Sequence, residues 1–282
     1  MPGAVARGAR ETGEDSAVHA WSGKPHSRCD TCGHRCAVSV YSSSLRGGES
    51  RGRGSRSLSA QAPDDEALQI LRSGLQAILG AAPEGAAESI ERFCRQLLSA
   101  NAVTNLTGAT DLRQAILQVL DSLAPLPLIK LRPLVVDLGS GAGLPGIPAA
   151  IVFPNVRFAL VEPRTKRVGF LRAVASDLSL GNVEVVKGSA PRVRFSGDRT
   201  PATVLARALA SPPRAIELGL SLLKVGGLLL LYAGRAAQPD AESLKAAQQY
   251  GGSAIDVRAL EVPHLFKSRH AWILRRVVDG LH

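Results

Sequence analysis

The sequence is short of the features that place a protein in a membrane or outside the cell. Its 282 residues include only four cysteines, three of them crowded at positions 29, 32 and 36, unlike the spread-out framework of secreted disulfide proteins. The most apolar run, Ile216 to Ala233, is broken by charges and glycines and falls short of the ~20 apolar residues of a membrane helix. The first 20 residues have no apolar core, unlike a secretory signal. We therefore expect a soluble, cytoplasmic protein.

A nucleophile–base pair and a convincing catalytic metal cluster are also missing. The Cys29 to Cys36 segment, with His26 and His34 nearby, offers half of a zinc site, but no second half follows. An unstructured leader or a misassigned start codon is the preferred interpretation, while a structural zinc and an Arg- and Ser-rich transit peptide stay open. His264 and His270 have no spaced partners. We expect no metal in the protein.

What the sequence does contain is positive charge and enough apolar residues for a core. The formal net charge is +10 and the sequence pI is about 10.0, with 45% hydrophobic residues. The charge favours an anionic partner such as nucleic acid. A basic protein from an Arg-rich proteome is the other interpretation.

The patterning predicts three parts. Residues 1–62 are rich in Gly, Ser and Arg and are predicted to be a disordered leader. Residues 63–132 hold three amphipathic segments, with Asp64 and Asp111 as N-caps, and are predicted to form a small helical subdomain. Residues 133–282 alternate short β-rich runs with helical segments, which predicts an α/β fold with a doubly wound, mainly parallel sheet. Ligands of such folds lie at the carboxyl ends of the strands.

The predicted strands are 134–138, 157–161, 183–186, 203–206, 228–232, 254–260 and 271–276. Helices are predicted at 166–178 and 213–223. Trp272 and Phe266 fall in the late strand region, where we expect core packing rather than base stacking. Cys94 is expected in a helical core.

The first of these strands leads into a cluster of glycines, "LVVDLGSGAGLPG". Glycine allows a ligand to approach the backbone closely, and Gly141-x-Gly143-x-x-Gly146 formally matches the dinucleotide fingerprint. Asp137 would repel a pyrophosphate but attract the positive charges of S-adenosylmethionine. Glu162, about 20 residues beyond the loop, suits a ribose of either cofactor. The charge of Asp137 therefore favours the methyl donor.

Six motifs follow one another in the order of a known family: "NLT", "DSL", "VVDLGSGAGLPGIPAAI", "LVEPRTKRVGFLR", "LGNVEVV" and "ARALA". From Asp64 to Val278 the chain resembles the small-subunit rRNA guanine-N7 methyltransferases, the glucose-inhibited division protein B family. The resemblance implies a Rossmann-like, class I S-adenosylmethionine-dependent methyltransferase with a small N-terminal helical subdomain. It also implies methylation of guanine N7, of the position 527 type, in 16S rRNA, alone or in the small ribosomal subunit.

The resemblance assigns roles by position. Asp137 and Glu162 would hold the amino-acid and ribose parts of the donor, Ala190 would lie beside its adenine, and Arg207 would lie at the mouth of the active site. The whole set expected to bind the donor is Asp137, Gly139, Ser140, Gly141, Gly143, Leu144, Glu162, Ala190, Pro191 and Arg207. Arg207 is also the catalytic candidate, and Lys166 and Arg167 match the basic pair expected to bind RNA. A surface arginine and a solvated helix face are the alternatives for these two groups.

The chain departs from the family pattern at three places. Gln118 stands where the family has His, Ser189-Ala190-Pro191 where it has Arg-Ala-Glu, and Ala233-Gly234 where it has Lys-Gly. Each change removes a polar or charged group from the expected cofactor or RNA rim, so the chain reads as a divergent member. The alternatives are a methyltransferase acting on another RNA, a protein or a small molecule, a donor-binding fold without turnover, and a dinucleotide-binding oxidoreductase. We expect a monomer.

Overall fold

The computed structural model of the chain describes residues 61–195 and 200–278, and the side chains from residue 64 onward. The predicted leader, with its cysteine cluster, lies outside the described residues, except that the first helix already begins at Gln61. The boundary predicted between residues 132 and 133 stays a prediction.

Three helices precede the sheet: α1 (Gln61–Leu79), α2 (Ala86–Thr104) and α3 (Leu112–Leu123). Their apolar stripes face one another, as the three- and four-residue spacing predicts. Asp111 is the N-cap of α3, because its side chain accepts a hydrogen bond from the backbone N–H of Gln114 at 2.8 Å. Asp64 lies inside the first turn of α1 instead of capping it.

Seven strands form one sheet in the order β3-β2-β1-β4-β5-β7-β6. They are β1 (Val135–Leu138), β2 (Phe158–Glu162), β3 (Val183–Lys187), β4 (Thr203–Arg207), β5 (Leu228–Gly234), β6 (Asp256–Val262) and β7 (Leu265–Arg275). Strands β1 to β5 are parallel, and β7 is antiparallel to both of its neighbours. The strand order reverses between β1 and β4, which is where ligands bind in sheets of this kind. The predicted α/β fold is confirmed.

Four further helices cover the sheet: α4 (Gly146–Val152), α5 (Thr165–Asp177), α6 (Pro212–Leu222) and α7 (Ala241–Gln249). One face packs against α1 to α5 and the other against α6 and α7. Alternate strand residues serve the two faces, so that Val135 belongs to the first core and Val136 to the second. The helices of the predicted subdomain thus share a core with one face of the sheet.

Cys94 is fully buried on α2, as predicted, and burial raises the pKa of its thiol to about 12. Trp272 is also in the core, and its indole N–H donates to the carbonyl of Ala236 at 3.1 Å. The prediction for Phe266 was wrong, because its side chain is 100% exposed. Strand β7 begins at Leu265 rather than at Ala271, and the polar residues Lys267 and Ser268 gave no strand pattern.

Within residues 61–195 and 200–278, no helix is both long and apolar enough to cross a membrane. The same ranges contain no cluster of three His, Cys, Asp or Glu residues that could bind a metal.

Candidate active site

The predicted site residues come together at the carboxyl ends of three adjacent parallel strands. Asp137 belongs to β1, Glu162 ends β2 and Arg207 ends β4. The side chains of all three fall on the sheet face that packs against α1 to α5, because each alternates with a residue of the other core. The register aligns Asp137 with Leu205, two residues before Arg207. Two acids and one cation therefore surround the switch point of the sheet.

The glycine loop that follows β1 is shaped by its backbone. The N–H groups of Gly139 and Ser140 both donate to the carbonyl of Val161, at 2.8 and 3.0 Å. Gly139 has φ of +75°, and a Cβ there would lie 2.5 Å from the Leu209 side chain. Gly143 has φ of +87°. Residues other than glycine are strained at such positive φ angles, so the tight turn depends on these two glycines.

Asp137 lies beneath the loop. Its side chain is 1% exposed, and its Oδ2 accepts a hydrogen bond from the N–H of Gly146, at the start of α4, at 3.0 Å. Burial raises the pKa of this carboxyl group to about 6. The sequence predicts a carboxylate directed at a cationic donor, whereas the contact of this carboxylate in the structure is with the loop backbone. Its role toward the donor stays a prediction, and the structure adds that it holds the loop.

Glu162 ties the same loop to the end of β2. Its buried carboxylate accepts hydrogen bonds from the backbone N–H of Gly141 at 3.0 Å and of Arg164 at 2.9 Å. A carboxylate has about four acceptor positions. These two bonds leave acceptor capacity for ribose hydroxyls, so the residues present fit an adenosyl donor at this edge.

Four other residues predicted to bind the methyl donor fall into two groups. Ser140 and Leu144 are buried, and the Ser140 hydroxyl donates to the backbone carbonyl of Asp137 at 2.9 Å, so both support the loop from within. Ala190 is half-buried and Pro191 is exposed, in the turn after β3. This turn lies beside Glu162, because the N–H of Gly188 donates to the Glu162 carbonyl at 3.2 Å.

Arg207 is held by a carboxylate that the sequence analysis did not assign to the site. Its Nη2 lies 3.5 Å from Oδ2 of Asp121 on α3, and Oδ1 of Asp121 accepts from Nε of Arg269 at 2.8 Å. The side chain of Arg207 is 22% exposed, and that of Asp121 is 15% exposed. The Tyr232 hydroxyl donates to the carbonyl of Ser122 at 2.6 Å and so fixes the end of α3 against β5. Asp121 stood in the "DSL" motif, but no pattern in the sequence indicated Arg269.

The two residues expected to bind RNA, Lys166 and Arg167, have different surroundings, and their role stays a prediction. Lys166 is exposed on the first turn of α5. Arg167 is half-buried, and its Nη1 lies 4.0 Å from Oε2 of Glu162 and 3.4 Å from the position that a Cβ of Gly141 would take. Lys166 is thus free to meet a phosphate, while Arg167 lies over the glycine loop.

Comparisons with known proteins decide the family. Residues 86–270 match the family described as GidB, rRNA small subunit methyltransferase G. The chain belongs to the rRNA small subunit methyltransferase G family. A ribosomal RNA small subunit methyltransferase G from Polynucleobacter asymbioticus is 33% identical over 215 residues, which cover 74% of this chain and 95% of that one. One from Neisseria gonorrhoeae is 34% identical over 212 residues, 75% and 99% of the two chains.

The predicted family is thereby confirmed, and as a member of it the chain is an S-adenosylmethionine-dependent methyltransferase. Among solved structures, an S-adenosylmethionine-dependent methyltransferase from Aquifex aeolicus is 19% identical, with a TM-score of 0.41 and coverage of 56% of this chain and 92% of that one.

The residues that depart from the family pattern differ in their burial and contacts. Gln118 is half-buried, and its Oε1 accepts a hydrogen bond from the Thr107 hydroxyl at 2.6 Å, so it joins α3 to the loop before it. Ser189 is exposed and Ala233 is half-buried near the end of β5. At position 118, where the family has histidine, this chain therefore has a glutamine that makes an internal hydrogen bond.

Proposed function

We propose that the protein transfers the methyl group of S-adenosylmethionine to N7 of a guanine in 16S rRNA. The observation that carries the proposal is the position of Arg207, tethered by Asp121, on the strand next to the glycine loop. The substrate class is taken from the rRNA small subunit methyltransferase G family, to which the chain belongs.

The residues around the loop suit the donor. Glu162 would accept hydrogen bonds from the ribose hydroxyls through the acceptor positions that Gly141 and Arg164 leave free. Ala190 would offer a small apolar surface to the adenine. Asp137 would place a negative charge below the loop, where it favours a positively charged ligand. When bound, S-adenosylmethionine supplies an electrophilic methyl group on a positively charged sulfur.

The chemistry requires no general base from the protein. Guanine N7 carries a lone pair and has no proton to lose, so the N–C bond forms as the C–S bond breaks. The protein therefore acts by alignment and electrostatics, and correct positioning can lower a barrier by ~7–11 kcal/mol. Arg207 would donate to guanine O6 or to a flanking phosphate, because a hydrogen bond to N7 would occupy the attacking lone pair. Asp121 positions the Arg207 guanidinium for that contact.

The proposed partner is 16S rRNA, alone or in the small ribosomal subunit, and the proposed working form is a cytoplasmic monomer. The net charge of +10 favours an RNA substrate, and the exposed Lys166 is directed to solvent for a phosphate.

Mass spectrometry of 16S rRNA tests the proposal. Cells that lack the protein should lose one 7-methylguanosine, and the purified protein should restore it with S-adenosylmethionine on RNA or small subunits from those cells. An Arg207→Ala variant serves as the inactive control. An unchanged rRNA modification map would refute the proposed substrate and leave the family assignment intact.

A further inference from the structure

The hairpin formed by β6 and β7 presents an aromatic side chain to solvent. Phe266 is 100% exposed, and the next two residues, Lys267 and Ser268, are also exposed. An exposed phenylalanine gains nothing from the hydrophobic effect where it stands.

The strand register places the turn of this hairpin at the carboxyl ends of the parallel strands, where the candidate active site also lies. The last residue of β5, Gly234, is paired with His270 of β7. Because β7 runs antiparallel to β5, its residues before His270 extend beyond the carboxyl ends of the parallel strands. Phe266 and Lys267 therefore project past the edge that holds Arg207 and the glycine loop.

Contacts on one side hold the hairpin in place. His264, at the turn, has its Nε2 2.9 Å from the Ser73 hydroxyl of α1. Leu265 packs against the core formed with α1 to α5. Arg269 donates to Asp121, the carboxylate that also contacts Arg207. The hairpin is thus connected to the catalytic candidate through one side chain.

The segment of β7 between Leu265 and Arg269 is open to solvent. All three of its residues are exposed, and the pairing of β6 with β7 is irregular at this point. Two cations are exposed at this end of the sheet, Lys267 and Arg235, which comes just after β5. Glu261 is the nearest acidic residue along the hairpin. Among the described residues, Lys267 has no carboxylate within 4.0 Å.

The combination fits nucleic acid better than protein. The exposed apolar surface that marks a site for a protein partner is typically a contiguous patch larger than a few hundred Å². Here the neighbours of Phe266 along the strand are Lys267 and Ser268, which are polar. An exposed aromatic ring next to a lysine in the chain is a combination with which proteins stack on the bases of unpaired RNA and bind its phosphates.

We infer that the β6–β7 hairpin is an RNA-binding element in which Phe266 stacks on an unpaired base beside the methylated guanine and Lys267 binds an adjacent phosphate. The inference rests on the proposed function and extends it.

The test compares Phe266→Ala and Phe266→Trp with the wild-type protein. Equilibrium binding to naked 16S rRNA and to small subunits that lack the methyl group is measured, together with turnover and S-adenosylmethionine affinity. Base–aromatic stacking predicts ~5- to 150-fold weaker RNA binding for the alanine variant. We expect KM for RNA to rise while S-adenosylmethionine affinity is unchanged, and the tryptophan variant to bind RNA like the wild type.

A matched control is Leu244→Ala, which truncates an exposed apolar side chain on α7. It should leave RNA binding unchanged. The inference would be overturned if Phe266→Ala bound RNA as tightly as the wild type, or if the alanine and tryptophan variants lost affinity equally. The proposed function would still hold in that case if the wild-type protein methylates the RNA. RNA binding that depends on Phe266 in a wild type without methylation would refute the proposed function alone.

Discussion

Oδ2 of Asp137 accepts a hydrogen bond from the backbone N–H of Gly146 at 3.0 Å, and this contact spans the whole glycine loop. The acid of β1 is thereby joined to the first residue of α4. A Cβ at position 146 would lie 2.6 Å from the same oxygen, so the approach requires glycine. One buried carboxylate thus supports the loop and supplies negative charge beneath it.

Replacement of Asp137 by asparagine should separate these two tasks. The amide keeps an oxygen that can accept the Gly146 N–H but carries no charge, so the fold should persist while affinity for the cationic donor falls about tenfold, equivalent to ~1.4 kcal/mol. Isothermal titration calorimetry with S-adenosylmethionine measures the change. Asp256→Asn, at an exposed position on β6, is the control. Unchanged affinity in the Asp137 variant would show that its charge does not reach the donor.

The pKa of Asp137 predicts a pH dependence of stability. Burial raises this pKa from 3.8 to about 6, so the folded protein holds the proton more tightly than the unfolded chain. The stabilisation from this proton is complete below about pH 3.8 and is lost as the pH rises through about 6.

Urea unfolding between pH 4.5 and pH 7.5 tests this sign. Relative to the wild type, Asp137→Asn should gain stability as the pH rises, by at most ~3 kcal/mol for a shift of about two pKa units. A difference between the two proteins that is independent of pH would contradict the raised pKa.

Asp121 is predicted to act through Arg207. In Asp121→Asn the uncharged amide should hold the arginine less firmly and lower kcat for RNA methylation about tenfold, since a hydrogen bond to a charged group contributes ~1.5–3 kcal/mol. Arg207→Ala should lower kcat for RNA methylation by at least the same factor. Donor affinity should be unchanged in Asp121→Asn, which a purely structural collapse would not allow.

Single-turnover methylation and calorimetry measure the two quantities. Arg214→Ala, which removes an exposed ion pair with Glu217 on α6, is the control and should keep full activity. Asp121→Asn with wild-type turnover would remove its positioning role.

Gly139→Ala should destabilise the fold and the donor site together. The new Cβ adds ~1–2 kcal/mol of backbone strain at φ +75° and collides with Leu209. Adding Leu209→Ala should relieve the collision but not the strain. Gly169→Ala, in an open position on α5, should instead stabilise the protein by ~0.5–1 kcal/mol.

Thermal unfolding compares these variants. A Gly139→Ala protein as stable as the wild type would contradict the left-handed turn.

Lys166 is predicted to meet an RNA phosphate. Lys166→Ala should weaken RNA binding and reduce the slope of log affinity against log salt by about 0.7 to 0.9. Lys245→Ala, at an exposed position on α7, is the control. Filter binding at several salt concentrations measures the slope. Equal slopes for Lys166→Ala and the wild type would exclude the contact.

Features that depend on near neighbours in the chain could be predicted from the amino-acid sequence. The apolar spacing predicted α1 to α3, the alternation of strands and helices predicted the parallel sheet, and the glycines after Asp137 indicated the ligand loop. These signals are local, because a helix, a strand and a tight turn each depend on residues a few positions apart. The order of the motifs sufficed for the family.

Contacts between side chains that are distant in the chain could not be predicted in the same way. Asp121 contacts Arg207 and Arg269, which lie 86 and 148 positions further along the chain. No periodicity records such contacts, since they depend on how α3 packs across the ends of β4 and β7. The exposure of Phe266 also depends on the tertiary structure. Strand β7 extends beyond the carboxyl ends of the parallel strands. An aromatic residue that would be buried in a core strand is therefore exposed to solvent there.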